Sequence, residues 1–438
     1  MNYTQALEYL FAQLPMFSRI GAAAYKKDLC NTITLCNYFD NPQEKFPTVH
    51  IAGTNGKGST AHLLAAALQT AGYRVGLYTS PHYIDFRERI KIDGEPISTD
   101  FVSKFTAKVQ TLIVDIRPSF FEITVAMAFA YFEAQKVDIA IIETGLGGRL
   151  DSTNVINPLL SVITNIDYDH MDMLGDTLAL IAGEKAGIIK PDTPALIGEA
   201  QPETTQVFVD KATAVNSELF FAEDFIKISY KGQNLEQAFY QVENRLKQVN
   251  YSLSLQLLGA YQAKNLATVA AALALLYQKT AFRVSEEQFK MACAQVQTLT
   301  GMFGRWQILR KKPLMIADAA HNPHGLGYVL QQLKEVMKTY QLQKLHFIFG
   351  CVKDKDVSKI LAMLPVDAQY YFCHAQIPRA LSSDLLQIQA AEFKLSGNYF
   401  ETISQAVRAA RMNCQDNELI FIGGSIFVIG EALLVVSG

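Results

Sequence analysis

The chain has 438 residues, 50% of them hydrophobic and 18% charged, a balance that fits a folded globular protein and excludes a disordered or coiled chain. Lys plus Arg total 39 against 42 Asp plus Glu, with no block of consecutive basic residues, which argues against nucleic acid or an anionic membrane surface as a partner. The length exceeds a single core and predicts two domains.

Residues 1–13 carry an amphipathic helix pattern without a basic leader or an uninterrupted apolar core, so no secretory signal is expected. The cysteines at 30, 36, 293, 351, 373 and 414 form no C-x-x-C pair and no zinc-ligand spacing, and they read as reduced, mostly buried thiols of a cytosolic protein. After two N-terminal helical patterns, β-type runs at 48–52, 74–79, 137–142 and 159–164 alternate with helical patterns at 60–71, 100–114 and 122–135. That alternation predicts a parallel sheet covered by helices on both faces.

The first of these runs feeds Gly53-Thr54-Asn55-Gly56-Lys57-Gly58-Ser59-Thr60. Glycines let backbone N–H groups turn toward an anion, the following helix N-terminus adds partial positive charge, Lys57 reaches terminal phosphates, and Ser59 or Thr60 supplies a hydroxyl for Mg²⁺. A strict phosphate-loop pattern would need Gly at Ile51 and a hydroxyl at Gly58, so an ordinary glycine-rich turn is the competing reading. Residues 84–97 carry a hairpin signal in Ile90-Lys91-Ile92-Asp93-Gly94, and Pro96 confines its second strand to an edge.

Residues 138–149 read as a buried strand that delivers Glu143 to its C-terminal tip, where open α/β sheets hold ligands, followed by a flexible loop carrying Arg149. Glu143 is a candidate metal ligand beside the phosphate loop, or else a solvated strand-end acid. The next strand ends in Asp167-Tyr168-Asp169-His170, a carboxylate and imidazole set suited to a divalent metal; a lone loop His is otherwise a surface residue. Lys185 lies in an apolar helix beside Glu184. It is either a salt-bridged structural lysine, which residue chemistry alone favours, or a neutral amine that reacts with CO₂ to give a carbamate with oxygen ligands.

Residues 218–257 read as short strands of a small side sheet, and 258–265 open a helix whose Asn265 binds a base or phosphate, or simply caps. The apolar helix at 266–277 is too short to cross a bilayer. Gly301-Met302-Phe303-Gly304 marks a domain boundary, giving domains at 1–298 and 299–438, and Arg305 is placed to reach a triphosphate across the cleft. A second alternation follows, with strands near 306–310, 313–318, 345–350, 369–374 and 418–423 and helices near 324–340, 356–363, 383–393 and 402–412. Asp318-Ala319-Ala320-His321-Asn322-Pro323-His324 puts a polar cluster at a strand tip of this second domain.

The segments AGTNGKGST, YTSPH, RERI, FFEITVAMAF, ETGLGGRLDSTN, ITNIDYDH, LGDTLALIAGEKAGIIK, LGAYQAKNLA, GRWQ, DAAHNPHG and GGSIFVIGE, in this order, resemble the folylpolyglutamate synthase and dihydrofolate synthase family of the Mur ligase superfamily. The resemblance implies an N-terminal P-loop ATPase domain with a parallel sheet and small side sheet, and a C-terminal Rossmann-like α/β domain. It implies that Gly53, Thr54, Asn55, Gly56, Lys57, Gly58, Ser59 and Thr60 hold ATP phosphates, that Asn265, Arg305 and Asp318 contact ATP, and that Ser59, Ser80, Glu143 and His170 ligate two Mg²⁺ ions. Lys185 becomes the carbamylated lysine of the family, reversing the reading from residue chemistry.

Phe120, Phe121, Glu122, Leu150 and Asp151 would line a pteroate pocket, and His324 and Ser425 would hold the incoming glutamate. Lys57, Lys185, His170 and Arg305 would serve the chemistry. The implied substrates are ATP, L-glutamate, dihydropteroate and tetrahydrofolate, and the implied state is a cytoplasmic monomer. Residues 301–305 depart from the Trp-Pro-Gly-Arg segment common in the family. About fifty residues precede the phosphate loop, too few for the nucleotide-sugar domain of peptidoglycan-building relatives. Two rivals stand beside a ligase: a P-loop kinase or NTPase acting on a small carboxylate-bearing metabolite, and a noncatalytic nucleotide-binding regulator.

Overall fold

Strand β1 (Thr48–Ala52) is buried along its whole length because β-branched residues face helices on both sides, and β5 (Ile139–Glu143) and β6 (Leu160–Ile163) flank it in parallel. They are the centre of an eight-stranded sheet of order β4-β3-β2-β5-β1-β6-β7-β8. The remaining strands are β2 (Val75–Tyr78), β3 (Ile90–Ile92), β4 (Glu95–Pro96), β7 (Ala195–Ile197) and β8 (Leu219–Phe221). Only β3 runs against the others, pairing antiparallel with both β2 and β4, and Pro96 of β4 sits at the sheet edge as its missing N–H requires. The computed structural model describes residues 1–15, 28–246, 248–353 and 357–437.

The crossover helix Lys57–Thr70 buries every residue from Ser59 to Leu68, since helices Gln262–Lys279 and Glu286–Thr300 cover the side that the sheet leaves open. An antiparallel side sheet, β9 (Ile226–Gln233), β10 (Ala238–Asn244) and β11 (Val249–Leu255), packs on those two helices. Strand β7 was not legible, and β8 belongs to the main sheet rather than to the side sheet. Three-residue strands are too short to display a period.

A six-stranded sheet forms the C-terminal part, in the order β12 (Gln307–Lys311), β13 (Leu314–Asp318), β17 (Leu419–Gly423), β14 (Leu345–Phe349), β15 (Gln369–Phe372), β16 (Gly397–Tyr399). All neighbours are parallel except β12 and β13. The edge strand β16 and the last helix, Ile426–Ser437, add to the elements anticipated.

The connection between the two sheets is held from both ends. Buried Lys91 of β3 donates from Nζ to Thr300 O at 2.9 Å and Gly301 O at 3.1 Å. Asp318 of β13 accepts from Trp306 N at 2.7 Å, and Gly304 O accepts from Ala319 N at 3.1 Å. Met302 and Phe303 lie between these anchors. Gly304 has φ of 76°, and a Cβ there would stand 2.4 Å from the Tyr83 hydroxyl, so the close approach of that ring requires glycine.

Candidate active site

The loop after β1 is shaped by neighbours on three elements. Gly56 has φ of 84°, and a Cβ would come within 2.2 Å of Asn265 Oδ1, so both the turn and the approach of helix Gln262–Lys279 demand glycine. Asn265 Nδ2 donates to Gln262 Oε1 at 2.8 Å, and Gln262 Nε2 donates to Ser59 Oγ at 3.1 Å. From the tip of β6, Asn165 accepts Asn55 N at 2.9 Å and Thr164 Oγ1 donates to Asn55 O at 2.6 Å. Lys57 Nζ donates to Gly53 O at 3.0 Å and Thr54 O at 3.3 Å, which holds the ammonium over the loop.

Two opposite charges lie buried beside this loop, and among the described residues neither has an ion-pair partner. Glu143 is 4% exposed and accepts one hydrogen bond, from Ser80 N at 3.1 Å. Burial pushes its carboxyl up to about 7, against the opposing pull of Lys57. Lys185 is 3% exposed and donates to Gly53 O at 3.0 Å; burial, reinforced by Lys57, lowers its ammonium to about 7. The salt-bridged reading of Lys185 is therefore overturned, because the neighbouring Glu184 pairs instead with Arg149 at 2.7 Å.

His170 stands at φ 52° on the loop after β6, with Asp169 3.8 Å from its Nε2. Glu143, the Ser59 and Ser80 hydroxyls, His170 and Lys185 face one cavity. A single desolvated carboxylate among hydroxyls fits Mg²⁺ shared with phosphates, which takes one or two carboxylates and dehydrates reluctantly. A buried amine that is readily neutral likewise fits carbamate formation.

The cavity measures about 410 Å³ and opens between the tips of the two sheets. It is walled by every anticipated site residue except Thr60 and Glu122. Thr60 is fully buried within the crossover helix. Glu122 caps helix Phe120–Ala134, accepting Ser119 N at 2.6 Å and Asn31 Nδ2 at 3.3 Å, which is how a Ser-x-x-Glu spacing behaves at a helix start. Phe120, Phe121 and Leu150 form an apolar wall. Asp151 lines it but is committed to the loop: Oδ2 accepts Gly145 N and Leu146 N, each at 2.8 Å, and Oδ1 accepts Thr153 N at 3.0 Å.

From the C-terminal side come Asp318, Arg305, His324 and Ser425. Asp318 accepts from Tyr261 OH at 2.6 Å, Trp306 N at 2.7 Å and Ala320 N at 2.8 Å. Arg305 Nη1 donates to Tyr83 OH at 2.5 Å, and Asn322 Nδ2 donates to Asn55 Oδ1 at 2.9 Å, so both sides touch across the cleft. His324 Nδ1 lies 2.9 Å from Asp167 Oδ2, a contact that raises its basicity. Ser425 Oγ accepts Phe427 N at 3.1 Å.

Several lining residues had escaped individual notice. Arg89 lies 5.4 Å from the Phe120 ring centre and donates to His82 Nδ1 at 2.7 Å. Lys264 pairs with Glu199 at 2.5 Å beneath the Tyr328 ring. Arg89 and Lys264 sit inside the RERI and LGAYQAKNLA segments, whereas Glu199 and Tyr328 carried no local signal.

The description "Mur ligase middle domain" matches residues 51–274, and "Mur ligase, glutamate ligase domain" matches 304–426. The Bacillus subtilis dihydrofolate synthase/folylpolyglutamate synthase is 34% identical over 89% of this chain and 90% of its own length. A probable bifunctional folylpolyglutamate synthase/dihydropteroate synthase of Haloferax volcanii is 31% identical over 99% of this chain, which spans 50% of that longer relative. Among solved structures, Mycobacterium tuberculosis folylpolyglutamate synthase complexed with ADP superposes with a TM-score of 0.88 at 30% identity, covering 100% of this chain and 98% of that one. Escherichia coli FolC in complex with DHPP and ADP gives 0.86 at 27%, again covering 100% and 98%. With likeness of one kind running through both sheets and the cleft between them, the chain belongs to the folylpolyglutamate synthase/dihydrofolate synthase family of Mur ligases.

Proposed function

We propose that the chain is an ATP-dependent ligase that joins L-glutamate to dihydropteroate and to reduced folates through an acyl phosphate, with residues 1–298 as the ATP-binding domain and 299–438 as the glutamate-ligase domain. Both activities appear in the names of the Bacillus subtilis and Escherichia coli relatives. The observation that carries the reading is a single cavity in which a phosphate loop, an apolar aromatic wall and the tips of a second sheet converge. A kinase or NTPase switch needs no such second wall. We take the enzyme to be a cytoplasmic monomer; no described helix is long and apolar enough to cross a membrane.

A carboxylate is a poor acyl donor because its leaving group would be oxide, and phosphorylation removes that obstacle. The acceptor carboxylate attacks the γ-phosphorus in line, the bond to the bridging oxygen breaks, and ADP departs. The α-amine of glutamate then attacks the acyl carbon, and the tetrahedral intermediate expels phosphate. Lys57 and Arg305 screen the like-charged carboxylate and triphosphate as they approach.

Ser59, Ser80, Glu143, His170 and carbamylated Lys185 would hold two Mg²⁺ ions, which neutralise phosphate charge when bound. Phe120 and Phe121 offer flat apolar surface to a pterin ring, with Leu150 and the loop that Asp151 fixes. Asn265, Asp318, His324 and Ser425 line the cavity; the first two would flank the nucleotide and the last two would meet the incoming glutamate. Contacts across the cleft, such as that of Asn322 with Asn55, would help keep water from the acyl phosphate.

The test is stoichiometric. Purified protein with MgATP should release ADP and phosphate together only when a pteroate or folate acceptor and L-glutamate are both supplied. Steady release without an acceptor would favour the NTPase reading, and running dihydropteroate beside tetrahydrofolate separates one activity from two.

A further inference from the structure

A second group of ligand-type side chains lies at the far end of the C-terminal sheet from the ATP cavity. His346 is the second residue of β14, Glu418 immediately precedes β17, and Cys414 follows helix Ile403–Asn413. Among the described residues, these three bring an imidazole nitrogen, a carboxylate oxygen and a thiol sulfur within 4.8 Å of one another. The cavity is walled by the opposite strand ends, so nothing in the ligation chemistry uses them.

We propose that His346, Cys414 and Glu418 form a site for a zinc-type divalent cation. One nitrogen, one sulfur and one oxygen donor suit a borderline-soft ion and not Mg²⁺, which prefers oxygen alone. The supporting contacts are already in place. Tyr371 OH lies 3.0 Å from His346 Nδ1 and accepts Asn413 Nδ2 at 3.3 Å, fixing the ring so that Nε2 faces the carboxylate. Glu418 Oε2 accepts Gln415 N at 2.8 Å, which orients the acid.

His346 Nε2 and Glu418 Oε2 are 2.9 Å apart. Neighbouring ligands on a tetrahedral ion with bonds of 2.0–2.1 Å stand roughly 3.3 Å apart, so this edge opens by only a few tenths of an ångström. The cation takes the place of the hydrogen bond between nitrogen and oxygen: the imidazole binds through Nε2 as the neutral tautomer with its proton on Nδ1, toward the Tyr371 hydroxyl, and the thiol proton passes to solvent.

The thiol must swing inward, giving up its weak hydrogen bond to Gln415 O at 3.5 Å. Cys414 is partly exposed, which leaves a fourth position for water. Local charge also favours a cation: Asp416 and Glu418 stand by the thiol with Lys344 as the opposing charge, and the helix ends there at its negative pole. A bound ion would tie β14, β17 and the helix together and raise the stability of this domain without entering turnover.

The test is a cobalt titration of the full chain with Mg²⁺ in excess. The expected result is thiolate-to-cobalt charge-transfer absorption that saturates at about one equivalent. The band should persist in Cys30→Ser, which removes the exposed thiol, and vanish in Cys414→Ser. Tyr371→Phe should weaken binding by about 10–100-fold. Zn²⁺ should raise the melting temperature of the wild type and of Cys30→Ser but not of Cys414→Ser, with ATP-dependent turnover equal in all three. No band in the wild type, a band that survives Cys414→Ser, or one that disappears with Cys30→Ser would overturn the site and leave His346 as a hydrogen-bonded brace.

Discussion

The phosphate loop and the C-terminal wall of the cavity hold their buried charges differently. On the N-terminal side Glu143 keeps one hydrogen bond and Lys185 rests on a single carbonyl, each pushed by burial toward its neutral form. On the C-terminal side Asp318 is equally buried, and burial raises its carboxyl too, but it accepts three hydrogen bonds. A carboxylate whose acceptor sites are filled by its own chain is held in place before any ligand arrives. One left short of donors is poised for something that arrives from solution.

The contrast can be attacked first where the walls meet. Arg305→Ala should lower turnover by about 10³–10⁵, as other guanidiniums on transferring phosphates do, measured as acceptor-dependent ADP release. A loss under about tenfold would remove the cross-cleft guanidinium from the chemistry. Lys185→Ala should cost about 10²–10³ in turnover, with bicarbonate giving no rescue and circular dichroism unchanged. Wild-type protein in ¹³C-bicarbonate should show a carbamate carbon resonance that the variant lacks.

Glu143→Gln and Asp151→Asn should move stability in opposite directions. Glu143 titrates near 7 in the fold against 4.5 unfolded, so its raised value favours the folded state below 4.5, and this advantage is lost as pH climbs through 7. The neutral amide escapes that loss. Without Mg²⁺, Glu143→Gln should gain on the order of 1–3 kcal/mol at pH 8 and nothing at pH 4, read by urea denaturation, while Mg²⁺-dependent activity falls. Asp151→Asn should lose about 1–3 kcal/mol, because its amide turns donors toward the backbone N–H groups of the loop. Glu122→Ala should cost only about 0.5–2 kcal/mol of thermal stability, the worth of a helix cap, with acceptor kinetics unchanged.

The alternation of strands and helices, the edge position of Pro96 and the strand-tip placement of Glu143 and Asp318 were all legible, because periodicity and punctuation act locally. Strands β7 and β16 were not, being three residues long. The fate of Lys185 could not be read from Glu184 beside it, since which side chain Arg149 takes depends on a loop 35 residues away. Glu122 shows the reverse: its carboxylate caps its helix as a Ser-x-x-Glu spacing does, whereas its expected place in the pteroate pocket came from the resemblance alone. The meeting of His346, Cys414 and Glu418 was equally hidden, because it depends on strand order and not on sequence interval.

The connection anchored by Lys91 at one end and by Asp318 at the other leaves two residues, Met302 and Phe303, to absorb any rotation of one half against the other. So short a pivot permits few trajectories, and the Phe303 ring, 4.8 Å from that of Tyr83, rides on the same tyrosine that receives Arg305. A guanidinium held on that tyrosine would move with any such swing, so on the ligase reading proposed above it would reach a phosphate as a mechanical consequence of shutting, with little configurational search left to perform.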